Sequence, residues 1–235
     1  MLRLHFQALR GNAIGRRYFS KESDFISRFI RHHKPPHEAL KYFSALDWTR
    51  GIFQNDKYEP VAFFPRYVDK QTGENTFFGS TVNTPATIPR LLALRRKALG
   101  AVDPETSSVT ATEAAEGLHG RSDALCLMTL KEDLHAHPSI VHGGFQGVIF
   151  DEIMRFVILL HYDRTAQPGP RRRHYTLQMS LSYHAPVLTG GDILVRSWLT
   201  RREGRKWFLG AEIVDPANRD LTSAESMWLT GRTET

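Results

Sequence analysis

The sequence predicts an α+β protein: an antiparallel sheet wrapped around one long central helix, preceded by a helical and loop-rich extension. Three observations carry this expectation. Phe145–His161 is apolar at nearly every position, as in a helix buried on all sides. Leu177, Met179, Leu181 and Tyr183 alternate with Thr176, Gln178, Ser180 and Ser182, the period of a strand with one buried face. Three more strand-like segments follow at 193–200, 207–213 and 221–230.

The elements follow in chain order. Phe25, Ile26, Phe29 and Ile30 fall on one helical stripe behind Asp24, a cap residue, and Pro35-Pro36 ends that helix. A second short helix is expected at 37–46. A loop-rich stretch leads to a helix expected over 87–99, with Thr87 at its N-cap, Pro89 in its first turn and Gly100 at its C-cap. Arg90, Arg95, Arg96 and Lys97 would then form either an exposed basic face or a contact for the nucleotide phosphates of a coenzyme. Residues 104–118 are small and polar, as in a linker. Ala124–Leu130 reads as a buried strand. After the long helix, four strands are expected to run as a meander, with turns at Glu203-Gly204-Arg205 and Asp215-Pro216-Ala217-Asn218.

The composition narrows the function. The chain has 235 residues, 41% hydrophobic and 24% charged, which is ordinary globular usage. No apolar run approaches the ~18 residues of a spanning helix. One cysteine, Cys126, allows no intramolecular disulfide and no cysteine-rich zinc site. The net charge is +6, but Arg3, Arg10, Arg16 and Arg17 lie in an acid-free N-terminus, and without them the excess falls to +2. A near-neutral remainder argues against a nucleic-acid binder. Residues 1–19 have the basic, amphipathic composition of a mitochondrial transit peptide, and Arg17-Tyr18-Phe19-Ser20 is similar to a matrix-peptidase cleavage site. The division expected is 1–19 targeting segment, 20–110 extension and 111–235 principal domain, with mitochondrial matrix as the destination.

The chemistry gathers at the start of the long helix. Gly143-Gly144 either makes a tight strand-to-helix turn or leaves first-turn amides open to a carbonyl becoming an oxyanion. Gly144, Gly147 and Asp151 share one stripe. A carboxylate among Phe145, Val148, Ile149 and Phe150 is costly to bury, and desolvation makes it a better base. Glu152 is expected to be exposed or paired with Arg155. His142 is expected to orient the loop by a hydrogen bond. His135, His137 and His142 lack the carboxylate or cysteine that would complete a metal site, so no metal and no cofactor is expected. No Gly-x-Ser-x-Gly elbow, phosphate loop or dinucleotide fingerprint is present.

Val141-His142-Gly143-Gly144, with Asp151 nine residues after the histidine, resembles the hotdog-fold acyl-CoA thioesterase family, in its mitochondrial thioesterase-like branch. Thr176–Pro186 is similar to that family's strand after the helix, and Glu203-Gly204-Arg205-Lys206 to its next hairpin. The likeness covers about residues 120–230. It departs from the family at the bulky Phe145-Gln146, at Glu152 and at His174.

The resemblance implies hydrolysis of a (fatty) acyl-CoA in a site between the protomers of a homodimer or homotetramer. It makes Asp151 the general base or nucleophile. It has the Gly144 N–H polarise the carbonyl, and Thr176 from the partner protomer hold the water or carboxylate. His142 and Gly143 shape the loop, and Arg205 and Lys206 are weaker candidates for coenzyme A contacts. The alternative is a catalytically silent hotdog protein that binds acyl-CoA or another protein.

Overall fold

In the computed structural model, the described residues are 24–100, 122–165 and 171–232. The expected targeting segment at 1–19 and the expected linker at 104–118 lie outside them. Four helices are present among the described residues: α1 (Phe25–His32), α2 (His37–Ser44), α3 (Arg50–Gln54) and the long α4 (Gly143–Thr165). The strands are β1 (Tyr58–Val61), β2 (Arg90–Arg96), β3 (Ala124–Thr129), β4 (His135–His137), β5 (Ile140–Val141), β6 (His174–Tyr183), β7 (Asp192–Glu203), β8 (Lys206–Val214) and β9 (Asp220–Thr230). Seven of them form one antiparallel sheet in the order β1-β2-β3-β7-β8-β9-β6, while β4 and β5 pair separately.

Helix α4 lies on one face of this sheet. Ile149, Phe150, Ile153, Met154, Phe156, Val157 and Ile158 are all fully buried. A sheet can cover only one side of a helix. The other side is covered by the extension, through Phe25, Ile26 and Phe29 of α1 and Phe63, Phe64 and Phe78 of the following loop, all in the same core. The opposite face of the sheet carries a second core. There Leu92, Leu94, Leu125, Leu127 and Leu194 pack beneath Phe43 of α2 and Ile52 of α3.

Two expectations are corrected. Residues 90–96 form a strand, not a helix. Leu91 and Ala93 enter the core on α4 while Leu92 and Leu94 enter the outer one, so a continuous apolar run serves both faces of a central strand. Arg95 accordingly pairs with Glu59 on β1, and the Arg90 guanidinium stacks on Tyr42; neither stands on an open basic helix face. The last four strands are also not a simple meander. β6 pairs with β9 and not with β7, so the chain leaves the sheet edge after β6 and crosses to its middle before β7, β8 and β9 run as hairpins. Periodicity shows that a strand exists but not which neighbour takes its edge. Gly204 holds φ +54 in the turn between β7 and β8, a conformation glycine adopts without penalty.

The start of α1 is tied to α4. Asp24 caps nothing with its side chain; the Ser27 N–H is instead bound at 2.6 Å by the Asp163 carboxylate near the end of α4. Burial pushes the Asp163 carboxyl up to about 6, outweighing the stabilising backbone hydrogen bonds. A folded-state value above the unfolded one means that the ionised form is the costly one in the fold, and the cost is relieved as pH falls through about 6. Asp163→Asn keeps an oxygen for Ser27. It is expected to raise stability by about 1 kcal/mol at pH 7.5, after allowance for partial exposure. Thermal melts across pH should show that gain shrinking toward pH 5; a gain that stays constant would contradict the assignment.

Candidate active site

The site is built where β6 runs past the first half of α4. Strict alternation along 176–183 would put Thr176 on the face opposite Met179 and Leu181. A bulge between Thr176 and Gln178 changes this. Thr176 pairs with the inward Trp228, and Met179 with the inward Ser226, so His174, Thr176, Met179, Leu181 and Tyr183 all turn toward α4. Leu177, the extra residue, is left 51% exposed. Bulges of this kind re-aim side chains beside functional sites.

Down the facing stripe of α4, the Tyr183 hydroxyl donates to the Gly143 carbonyl at 3.1 Å. A Cβ on Gly147 would rest 3.7 Å from Leu181. One turn further on, the Thr176 hydroxyl donates to Asp151 Oδ1 at 2.6 Å. Asp151 is half-buried. Burial raises its carboxyl above the ordinary carboxylate range, against the lowering effects of the Thr176 hydrogen bond and the Arg155 charge. Next to it, Arg155 donates to Glu152 Oε2 at 3.0 Å, one of the two arrangements the sequence left open. Burial raises the Glu152 carboxyl as well.

Asp151, Glu152, Arg155, His174, Thr176 and Trp228 line one side of an open cleft of about 520 Å3. Its other side is the Gly73–Phe78 turn of the extension. His174 stays neutral there, because burial and then the charges of Arg171, Arg155 and Arg202 lower its pKa to about 3. Its Nδ1 lies 3.1 Å from the Thr230 hydroxyl, which also accepts the Trp207 indole N–H.

The glycines stand at the other end of the stripe. The Gly144 N–H donates to Nδ1 of the exposed His142 at 3.0 Å, so the histidine does hold the loop, and it does so by occupying the very amide expected to meet a carbonyl. The next two amides, of Phe145 and Gln146, donate to the His142 carbonyl. Gln146 is core: its side-chain oxygen accepts from the buried Thr222 hydroxyl. His135 shares a hydrogen bond with Thr189, and among the described residues no group of three His, Cys, Asp or Glu is placed to hold a metal. Cys126 is buried, and burial pushes its thiol far up.

The structure therefore brings Asp151 and Thr176 together within one chain, where a partner's threonine was expected. It keeps His142, Gly143 and Gly144 together about two turns away. Arg205 and Lys206 do not line the cleft; Arg205 donates to the Thr230 carbonyl and ties the β7–β8 turn to the end of β9. Sequence reasoning missed Glu74 and Asn75. They sit in an ordinary-looking turn, and only an alignment of covarying positions or the fold itself could reveal them.

Residues 139–222, a little over a third of the chain, match the Thioesterase superfamily. That stretch, which runs from β5 through α4 into the last strands, is similar to a thioesterase-superfamily domain. Among individual proteins, the chain is 28% identical over 108 residues to the uncharacterized mitochondrial membrane protein FMP10 of Saccharomyces cerevisiae, covering 45% of this chain and 42% of that one. It is 29% identical over 82 residues to the uncharacterized protein C26H8.11c of Schizosaccharomyces pombe, covering 35% and 43%. The chain thus spans less than half the length of these curated relatives. Among solved structures, thioesterase superfamily member 2 of Mus musculus aligns with a TM-score of 0.39 at 13% identity, over 46% of this chain and 80% of that one. A Streptococcus mutans protein crystallised with acetyl CoA aligns with a TM-score of 0.40 at 14% identity, over 47% and 82%.

The Thr176 hydroxyl is a donor to the ionised form of Asp151 and favours it. Thr176→Val is expected to move the Asp151 titration upward by about 1 pH unit, read from the side-chain carboxyl carbon by NMR. An unmoved titration would mean that this hydrogen bond is not formed in solution.

Proposed function

We propose that this protein is an acyl-CoA thioesterase of mitochondria, hydrolysing a (fatty) acyl-CoA to free acid and coenzyme A. The observation that carries the reading is the half-buried Asp151 carboxylate, held by the Thr176 hydroxyl at 2.6 Å and open to a cleft. In this reading Asp151 attacks the thioester carbonyl or takes a proton from the water that does. A raised carboxyl suits a base, since basicity and ionisation must both be available near neutral pH. Thr176 aims the carboxylate. The superfamily match supports the reaction class, because residues 139–222 include His142, Gly143, Gly144, Asp151 and Thr176.

The distances support a site shared by two copies. Gly144 and Asp151 are seven residues apart on one helix, about 10 Å of rise. One carbonyl cannot touch both within a single chain. Two copies related by a two-fold axis would set Asp151 of one beside Gly144 of the other. The exposed His142 ring then swings off the Gly144 N–H to admit the carbonyl oxygen. Supporting a self-complementary edge, β6 ends the sheet with Tyr175, Leu177 and Tyr183 about half exposed. Residues 111–235 would carry the catalytic side chains, with the extension packed against them. Matrix localisation draws on the basic N-terminus and on the mitochondrial name of the yeast relative. Among the described residues, no helix is long and apolar enough to cross a membrane.

A second reading, a silent binder of acyl-CoA or of a protein, is favoured by one observation: the Gly144 N–H is already engaged by His142.

Thiol release from acyl-CoAs of graded chain length separates the two. Wild-type protein starting at Ser20 is expected to turn over at least one of them, and Asp151→Asn to lose at least about 100-fold in kcat with unchanged circular dichroism. Because the base must be ionised and its pKa is raised, kcat/KM should fall as pH drops through a value above the ordinary carboxylate ~4. Tight binding with no thiol released at any chain length would establish the silent reading instead.

A further inference from the structure

The extension reaches the site through one residue. Asn75 lies in the Gly73–Phe78 turn and holds φ +64, a left-handed conformation that glycine would adopt more easily. Its side chain is fully used. The amide nitrogen donates to the carbonyls of Phe64 at 3.1 Å and Tyr67 at 3.0 Å, which fixes the amide's orientation. The amide oxygen accepts from Arg155 Nη2 at 2.6 Å, across 80 positions of sequence. That same nitrogen donates to Glu152 Oε2. Glu74, the preceding residue, lies 3.7 Å from the other end of the guanidinium and binds Arg171 through both carboxylate oxygens, at 2.6 and 3.0 Å.

The charges around Asp151 make this contact consequential. On α4 it faces Glu152 and Arg155; from β6 come the Thr176 hydroxyl and the neutral His174; from the extension comes Glu74. Three carboxylates thus share the cleft with the Arg155 guanidinium. A free arginine has many rotamers, and those turned toward solvent would leave Asp151 and Glu152 to repel one another, while Glu74 keeps its pairing with Arg171.

We propose that Asn75 is a positioning residue of the active site: it locks Arg155 beside Glu152 so that the guanidinium charge stays within reach of Asp151, which makes the N-terminal extension part of the catalytic apparatus. This rests on Asp151 being the base, as read above. It accounts for an asparagine in a left-handed turn, since only a side chain with a carbonyl oxygen and two N–H groups can grip the loop with one end and Arg155 with the other.

The test uses the protein from Ser20 onward and two readouts, the pH profile of kcat/KM for thiol release from acyl-CoA and the Asp151 carboxyl titration by NMR. Asn75→Gly keeps the backbone conformation and removes the side chain. It is expected to move the acid limb and the titration upward by about half a pH unit, with kcat down about tenfold and KM within about twofold. Arg155→Gln should move both at least as far, Arg155→Lys should restore most of the shift, and Asn75→Gly should add nothing in the Arg155→Gln background. The proposal is overturned by an Asn75→Gly profile that superimposes on wild type, by additive shifts, or by an activity loss equal at every pH. Should Asn75→Gly not fold, an Arg155→Gln titration identical to wild type overturns it equally. Wild-type protein without turnover would sink the thioesterase reading alone, because the NMR titration still judges the Asn75–Arg155 contact.

Discussion

A helix that is apolar on all but one narrow stripe has to be enclosed, and much else in this molecule follows from enclosing α4. Its buried residues run around most of the axis, from Ile149 and Phe150 to Ile158 and Leu160, and leave Asp151 and Arg155 on the cleft. Each fully buried side chain of this size is worth roughly 1.5–3 kcal/mol relative to exposure, so leaving one side in water is not an option. The sheet takes one side. The phenylalanines of α1 and of the 61–88 region take another, which is why Phe25, Phe29, Phe63, Phe64 and Phe78 belong to the same core as the helix. The extension is thus a structural part of the domain that carries the site.

Enclosure also produces the chemistry. A helix this apolar tolerates few charges, and three of those it carries, Asp151, Glu152 and Arg155, sit at the rim of the cleft. Asp151 is half-withdrawn from water, so its carboxyl is raised; Thr176 and Arg155 offset part of that cost. His174 is driven the other way by burial and surrounding arginines and remains a neutral ring between Tyr162 and Trp207. One low-dielectric corner therefore holds a carboxylate disposed to accept a proton and an imidazole that will not take one.

The legible parts of the fold were those with a long, strong period. The all-apolar helix, the hairpin turns at Gly204 and Asn218, and the inward set Trp207, Leu209, Ala211 and Ile213 stand where their spacing put them. The segment around Leu91–Leu94 misled because a short apolar run flanked by Thr, Pro and Gly fits a helix or a doubly buried strand equally well, and only the strands on either side, with Val61 and Cys126 flanking Ala93, decide. The alternation in 176–183 is out of phase with the site at its start: the bulge at Leu177 moves Thr176 onto the helix side. No local signal marks that slip.

By itself, the sequence determined the element types with strong periodicity, the glycine pair before the helix, and the isolation of Asp151 in an apolar surround. Those are properties of neighbours along the chain. Tertiary structure decided that β6 pairs with β9, that Thr176 meets Asp151 within one chain, that His142 occupies the Gly144 amide, and that Asn75 grips Arg155. These depend on strand order, a one-residue bulge and the crossing of distant segments, which side-chain pattern constrains only weakly until the whole core closes around α4.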